Sequence, residues 1–107
     1  MELPKWDLKH NNAFLIKSVN VDNLAIINEA FYGCNNLSSI TIGSNVTTIG
    51  YDAFAYTTAL TNISIEKTMS NVSLMQPNYN NWGLNYGTAI HCIDGDIYVD
   101  GGSGSSN

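Results

Sequence analysis

The sequence predicts a short α/β solenoid, with stacked parallel strands, turns or brief helices on the other side, and a C-terminal β-hairpin cap. Three observations predict it. Sliding the chain over itself by 23 residues lays apolar residues on apolar residues. Each matched stretch ends in an alternation of apolar and polar residues, the mark of a strand with one buried face. Charged residues make up only 12% of the chain, and Asn, Ser and Thr supply the polarity instead. Asn and Ser compete with helical backbone bonds, so this composition favours strands and turns.

The 23-residue shift carries Ile26 onto Ile49, Ala30 onto Ala53 and Phe31 onto Phe54. It also carries Leu37 onto Leu60, Ile40 onto Ile63 and Ile42 onto Ile65, then Val46 onto Met69 and Ile49 onto Val72. Each unit has two parts. Leu-x-x-Ile-x-Ile predicts a strand, over residues 37–42 and again over 60–65. Ile-x-x-x-Ala-Phe, at Ile26 and at Ile49, predicts a turn or brief helix that drives a Phe beneath the strand. Gly33 and Gly50 punctuate these turns.

The remaining elements follow in order. Residues 1–15, with Trp6 and Phe14, are expected to cap the N-terminal end or form an arm. Ile16, Val19 and Val21 predict a strand over 16–21, spaced 21 residues from the next. The third unit departs from the pattern, because Gln76-Pro77 stand where Ala-Phe should recur. A polar aromatic segment, Asn78 to Tyr86, follows. Residues 88–93 predict a strand, Asp94-Gly95 a hairpin turn, and residues 96–99 the returning strand. The repeat domain thus spans residues 16–99, and residues 100–107 are a Gly/Ser-rich tail. One unit cannot bury its Leu, Ile and Phe side alone, so neighbours must stack and the ends must be capped.

Ile49-Gly50-Tyr51-Asp52-Ala53-Phe54 with Leu60-x-x-Ile63-x-Ile65 resembles the BspA-like leucine-rich repeat. So does Ala30-Phe31-Tyr32-Gly33-Cys34 with Leu37-x-x-Ile40-x-Ile42. Gly87 to Gly95 looks like the segment that closes such arrays, so the resemblance covers about residues 16–99. It implies a surface-displayed adhesion or recognition protein, or a structural protein of phage particles, and it brings no catalytic residues.

Composition excludes several classes. The net charge is −5, with nine acidic residues against four lysines. Nucleic-acid binding rests on neutralising phosphates with Lys and Arg, so no nucleic-acid partner is expected. No apolar run approaches the roughly 18 residues of a membrane span, so no insertion is expected. Met1 to Asn12 lacks an apolar core and is not read as a signal peptide. The compartment stays open: a cell surface if the chain belongs to a longer secreted protein, a virion if Met1 is its true start. His10 and His91 belong to no nucleophile motif, and no Gly-rich phosphate loop is present, so no enzyme is expected. Asp94, Asp96 and Asp100 lack the ligand spacing of a calcium loop and are read as a solvated turn. No metal or cofactor is expected. Cys34 and Cys92 are read as reduced thiols without metal-site spacing. Sequons at Asn36, Asn45, Asn62 and Asn71 would matter only in a eukaryotic secretory pathway.

The candidate ligand-binding residues fall in two groups. Ser39, Thr41, Asn62 and Ser64 alternate with buried Ile and form a small polar patch on the open face of the sheet. Ser18 and Asn20 are their equivalents in the first strand. Tyr79, Trp82 and Tyr86 break the repeat among asparagines, a mixture typical of adaptable binding loops, although Trp82 is also read as packing beneath the last strand as part of the cap. Tyr32, Tyr51 and Tyr56 lie on the turn side, either as a second aromatic surface or, the favoured reading, as shields for the turns. The leading function is a non-enzymatic recognition module that binds a protein or glycan on another surface. The alternative is a structural subunit that assembles with copies of itself.

Overall fold

A repeat period sets the spacing at which strands can pair, and here the paired residues follow it. The structure is a computed structural model and describes residues 16–100. The expected N-terminal cap, with Trp6 and Phe14, and the tail after Asp100 lie outside the described residues.

Seven strands are present among the described residues: β1 (Ser18–Val21), β2 (Ala25–Ile26), β3 (Ser39–Ile42), β4 (Thr48–Ile49), β5 (Asn62–Ile65), β6 (Ala89–Cys92) and β7 (Gly95–Tyr98). The main sheet runs β1-β3-β5-β6-β7. Its first three pairings are parallel and the last is antiparallel. The chain is therefore a stack of repeats with a mostly parallel sheet, closed by the expected C-terminal hairpin.

The strands are shorter than the alternation suggested. Leu37 and Leu60 belong to the preceding turns, where their amides donate to the carbonyls of Cys34 and Thr57 at 3.2 and 3.0 Å. The segment predicted as a turn or brief helix also begins differently. Ile26 and Ile49 sit in the two-residue strands β2 and β4, which pair in parallel as a second small sheet. The hairpin turn falls on Ile93-Asp94, one residue before the Asp-Gly pair. Gly95 instead pairs with Cys92, at a φ of 151°.

The third unit continues the stack with a longer spacing. Thr41 lies beside Ser64, 23 positions on, whereas Asn62 lies beside Ala89, 27 positions on. The additional chain forms helix α1 (Met69–Ser73), capped by Thr68, whose Oγ1 accepts from the Asn71 amide at 3.1 Å. A 3-10 turn at Tyr79–Asn81 follows and delivers Trp82 to the core.

The core is one cluster running through all the units. Leu37, Ile40, Ile42, Leu60, Ile63, Ile65 and Ile90 line the inner face of the main sheet and are fully buried. Phe31 and Phe54 stack beneath it, with ring centroids 5.5 Å apart and planes within 6°. Apolar alternation thus covers one side of each strand, and the aromatic ladder fills the space behind.

Among the described glycines, Gly50 has the least room between its Cα and a neighbouring backbone. A Cβ on Gly50 would stand 2.4 Å from the backbone N of Asn28, and backbone cannot step aside as a flexible side chain can. Gly50→Ala is expected to cost about 2 kcal/mol, the usual scale for overpacking. Urea unfolding should show a lower midpoint at an unchanged slope; an unchanged midpoint would mean that the units can spread without loss.

Candidate functional site

Parallel in-register pairing lines up equivalent side chains across the sheet. Asn20 lies beside Thr41, Thr41 beside Ser64, Ser64 beside His91, and His91 beside Asp96. Four steps at the strand spacing make a row about 19 Å long. A parallel row holds Ser18 beside Ser39, while Asn62, Ala89 and Tyr98 stand in register further along. Ser39 and Asn62 are exposed, and Thr41 and Ser64 are half-buried. The structure therefore brings together all four sheet residues singled out from the sequence.

The far end of the row was not recognised in the sequence. His91 Nδ1 lies 2.9 Å from Asp96 Oδ1, with the two side chains 43% and 39% exposed. Tyr98, 61% exposed, extends the face at its edge. Alternation turns His91, Asp96 and Tyr98 outward, but the expected Asp94-Gly95 turn would set His91 opposite Tyr98, so the pair with Asp96 appears only with the observed register.

Ser64, His91 and Asp96 stand in the order of a hydrolytic triad, but the geometry does not complete one. No hydrogen bond joins Ser64 to His91. What the row offers is a rigid line of hydrogen-bonding groups open to solvent.

The aromatic segment divides. Trp82 is 0% exposed, and its Nε1 donates to the Pro77 carbonyl at 3.0 Å. Of its two expected roles Trp82 therefore takes the packing one, and the expectation of a ligand contact is corrected. Its ring is a core residue of the third unit, and its carbonyl accepts the Phe54 amide at 2.8 Å. Tyr79 is half-buried and meets the Trp82 ring edge-on, with centroids 6.3 Å apart. Tyr86 leaves this pair and is 80% exposed. It lines a groove of about 540 Å³ on the turn side, together with Tyr32, Tyr56, Glu29 and Asp52. Tyr32 and Tyr56 meet edge-on, 5.1 Å between centroids.

Asn85 fixes the chain just before this groove. Its Nδ2 donates to the carbonyls of Thr57 and Leu60, at 3.0 and 2.9 Å. Cys34, Thr57 and Asn85 occupy the same place in successive units, since each carbonyl accepts the amide three residues on.

The family model described as the BspA type leucine rich repeat region (6 copies) matches residues 10–78. This chain belongs to the BspA-type leucine-rich repeat family. No curated protein and no solved structure matches it. The family is generally non-enzymatic and suggests a protein-interaction module. The match ends where this BspA-type chain lengthens its third unit, and the sheet nonetheless continues through β6 and β7.

The thiols of this repeat protein are poor nucleophiles. Both are free. Burial pushes the Cys34 thiol up to about 11. Burial, then the charges of Asp94 and Asp96, raises Cys92. A thiol held protonated does not attack. Asp94 also accepts from the Met69 amide at 2.9 Å, tying the hairpin turn to α1.

The burial of Trp82 separates its role from that of the exposed tyrosines. Trp82→Ala is expected to cost about 4 kcal/mol, the scale of large-to-small core changes, read as a fall in the urea midpoint. A midpoint within error of the parent would place the ring outside the core.

Proposed function

We propose that this chain is a short solenoid that serves as a non-enzymatic recognition module on the surface of a cell or particle, binding a protein or glycan. The observation that carries this reading is the row Asn20, Thr41, Ser64, His91 and Asp96, held in register across five strands. Small side chains on strands lose little freedom when they bind, and rigid elements hold a contact surface in place. Ser, Thr and Asn both donate and accept hydrogen bonds, which suits sugar hydroxyls and extended peptide backbone alike. Family membership supports the same reading, since repeats of this kind suggest protein interaction.

The test is a binding screen of the full chain against immobilised glycans and extracellular surface proteins, with Thr41→Arg and Ser64→Arg as probes. Both positions are half-buried but face the open side of the sheet, where a long side chain can extend its head into solvent, so thermal unfolding should shift only slightly. Each bulky side chain should weaken binding of any captured partner by about tenfold or more, as loss of one or two good hydrogen bonds would. Binding that survives both changes would place the contact surface elsewhere.

A further inference from the structure

The turn side carries a second surface whose chemistry differs from that of the polar row. Its groove, about 540 Å³, is walled by the rings of Tyr32, Tyr56 and Tyr86 and by the carboxylate residues Glu29 and Asp52. Neither Lys17 nor Lys67, the lysines among the described residues, lines it. The three tyrosines are 44%, 65% and 80% exposed, although rings of this size more often bury their faces. The Tyr32 hydroxyl is raised by burial first, then by Tyr56 and by the charges of Glu29 and Asp52.

Backbone conformation sets this groove apart from the other turns. Tyr56 holds a φ of 62°, a left-handed conformation costly for a bulky side chain. One unit earlier, the equivalent position is Gly33, at a φ of 78°. Glycine therefore satisfies this turn, and the tyrosine at the second unit brings a ring to the groove at the expense of backbone strain. Glu29 and Asp52, equivalent to one another, are also left-handed, at 59° and 54°. The three non-glycine residues with positive φ among the described residues all line this one groove. Strain of this kind clusters where a side chain must be presented to a ligand.

We propose that this groove is a second binding site, which takes an arginine side chain presented by a protein partner. A guanidinium is planar, so it stacks on a tyrosine face while its edge donates to a carboxylate. Three rings and two carboxylates around one concavity supply both halves of that recognition. The net charge of −5 draws a basic partner toward the chain. Arginine fits better than lysine, whose compact ammonium stays more strongly hydrated and has no face to stack.

The experiment is an NMR titration of the full chain, labelled on tyrosine, with the blocked peptide acetyl-Gly-Arg-Gly-amide. The same peptide with citrulline, the neutral isostere of arginine, is the control. The expected result is a saturable shift confined to Tyr32, Tyr56 and Tyr86, absent with citrulline. Asp52→Asn, which keeps a residue tolerant of positive φ, should weaken the arginine peptide by about fivefold. Tyr56→Gly relieves the strained backbone, so its melting temperature should stay level or rise while binding falls. That pairing distinguishes a ligand contact from a structural ring. No saturable shift, or equal shifts with citrulline, would overturn the proposal. A matching response to tetramethylammonium would also overturn it, by showing a site for any cation.

Discussion

The backbone bonds between successive units are the constraint on which the molecule depends. On the turn side, Glu29, Phe31 and Gly33 donate their amides to the carbonyls of Tyr51, Ala53 and Ala55, at 3.0, 2.7 and 2.8 Å. Asp52 and Phe54 then donate to Asn81 and Trp82, at 2.9 and 2.8 Å. At the strand ends the direction reverses, with Gly43 and Glu66 donating back to Val21 and Ile42. These bonds hold neighbouring units at one repeat spacing. At that spacing Phe31 and Phe54 stack, and glycine is needed at position 50, where the next backbone passes. Without it, each unit would leave an uncovered apolar side.

Both candidate surfaces are products of the same ladder. In-register pairing turns one small polar side chain per strand into a continuous row. On the turn side it places Glu29 above Asp52 and Tyr32 within ring contact of Tyr56. The row is chemically even and rigid, suited to hydrogen bonding. The groove is aromatic, acidic and strained, suited to a cation. A repeat protein with few units can thus present two unlike surfaces from one repeating backbone.

The first two full units were legible in the sequence because their apolar residues recur at a constant 23-residue spacing. The polar row was legible for the same reason, since alternation alone turns Ser39, Thr41, Asn62 and Ser64 outward. The third unit was legible at its end, in the strand over 88–93 and the hairpin, but not in its middle, because a lengthened loop moves the register to 27 residues and the slot's Thr becomes Asn85. Trp82 stood between two readings, ligand contact and cap packing, because a Trp among asparagines has the composition of a binding loop, and composition does not say which ring turns inward. The groove depends on Tyr86 meeting residues of two earlier units, a proximity that follows only once the third unit's length is known. The His91 and Asp96 pair was not legible, since the expected turn at Asp94-Gly95 would set His91 opposite Tyr98, and only the turn at Ile93-Asp94 sets it opposite Asp96.

The continuity of the stack through its lengthened third unit is the central claim, and amide hydrogen exchange at Asp52 and Phe54 tests it most directly. Both amides lie on the turn side, outside the paired strands, and are held by the carbonyls of Asn81 and Trp82. Exchange as slow as that of the Phe31 amide, with both sites opening only on global unfolding, is the predicted result. Exchange at the rate of an open turn, while Phe31 stays protected, would contradict it and end the stack at the second unit.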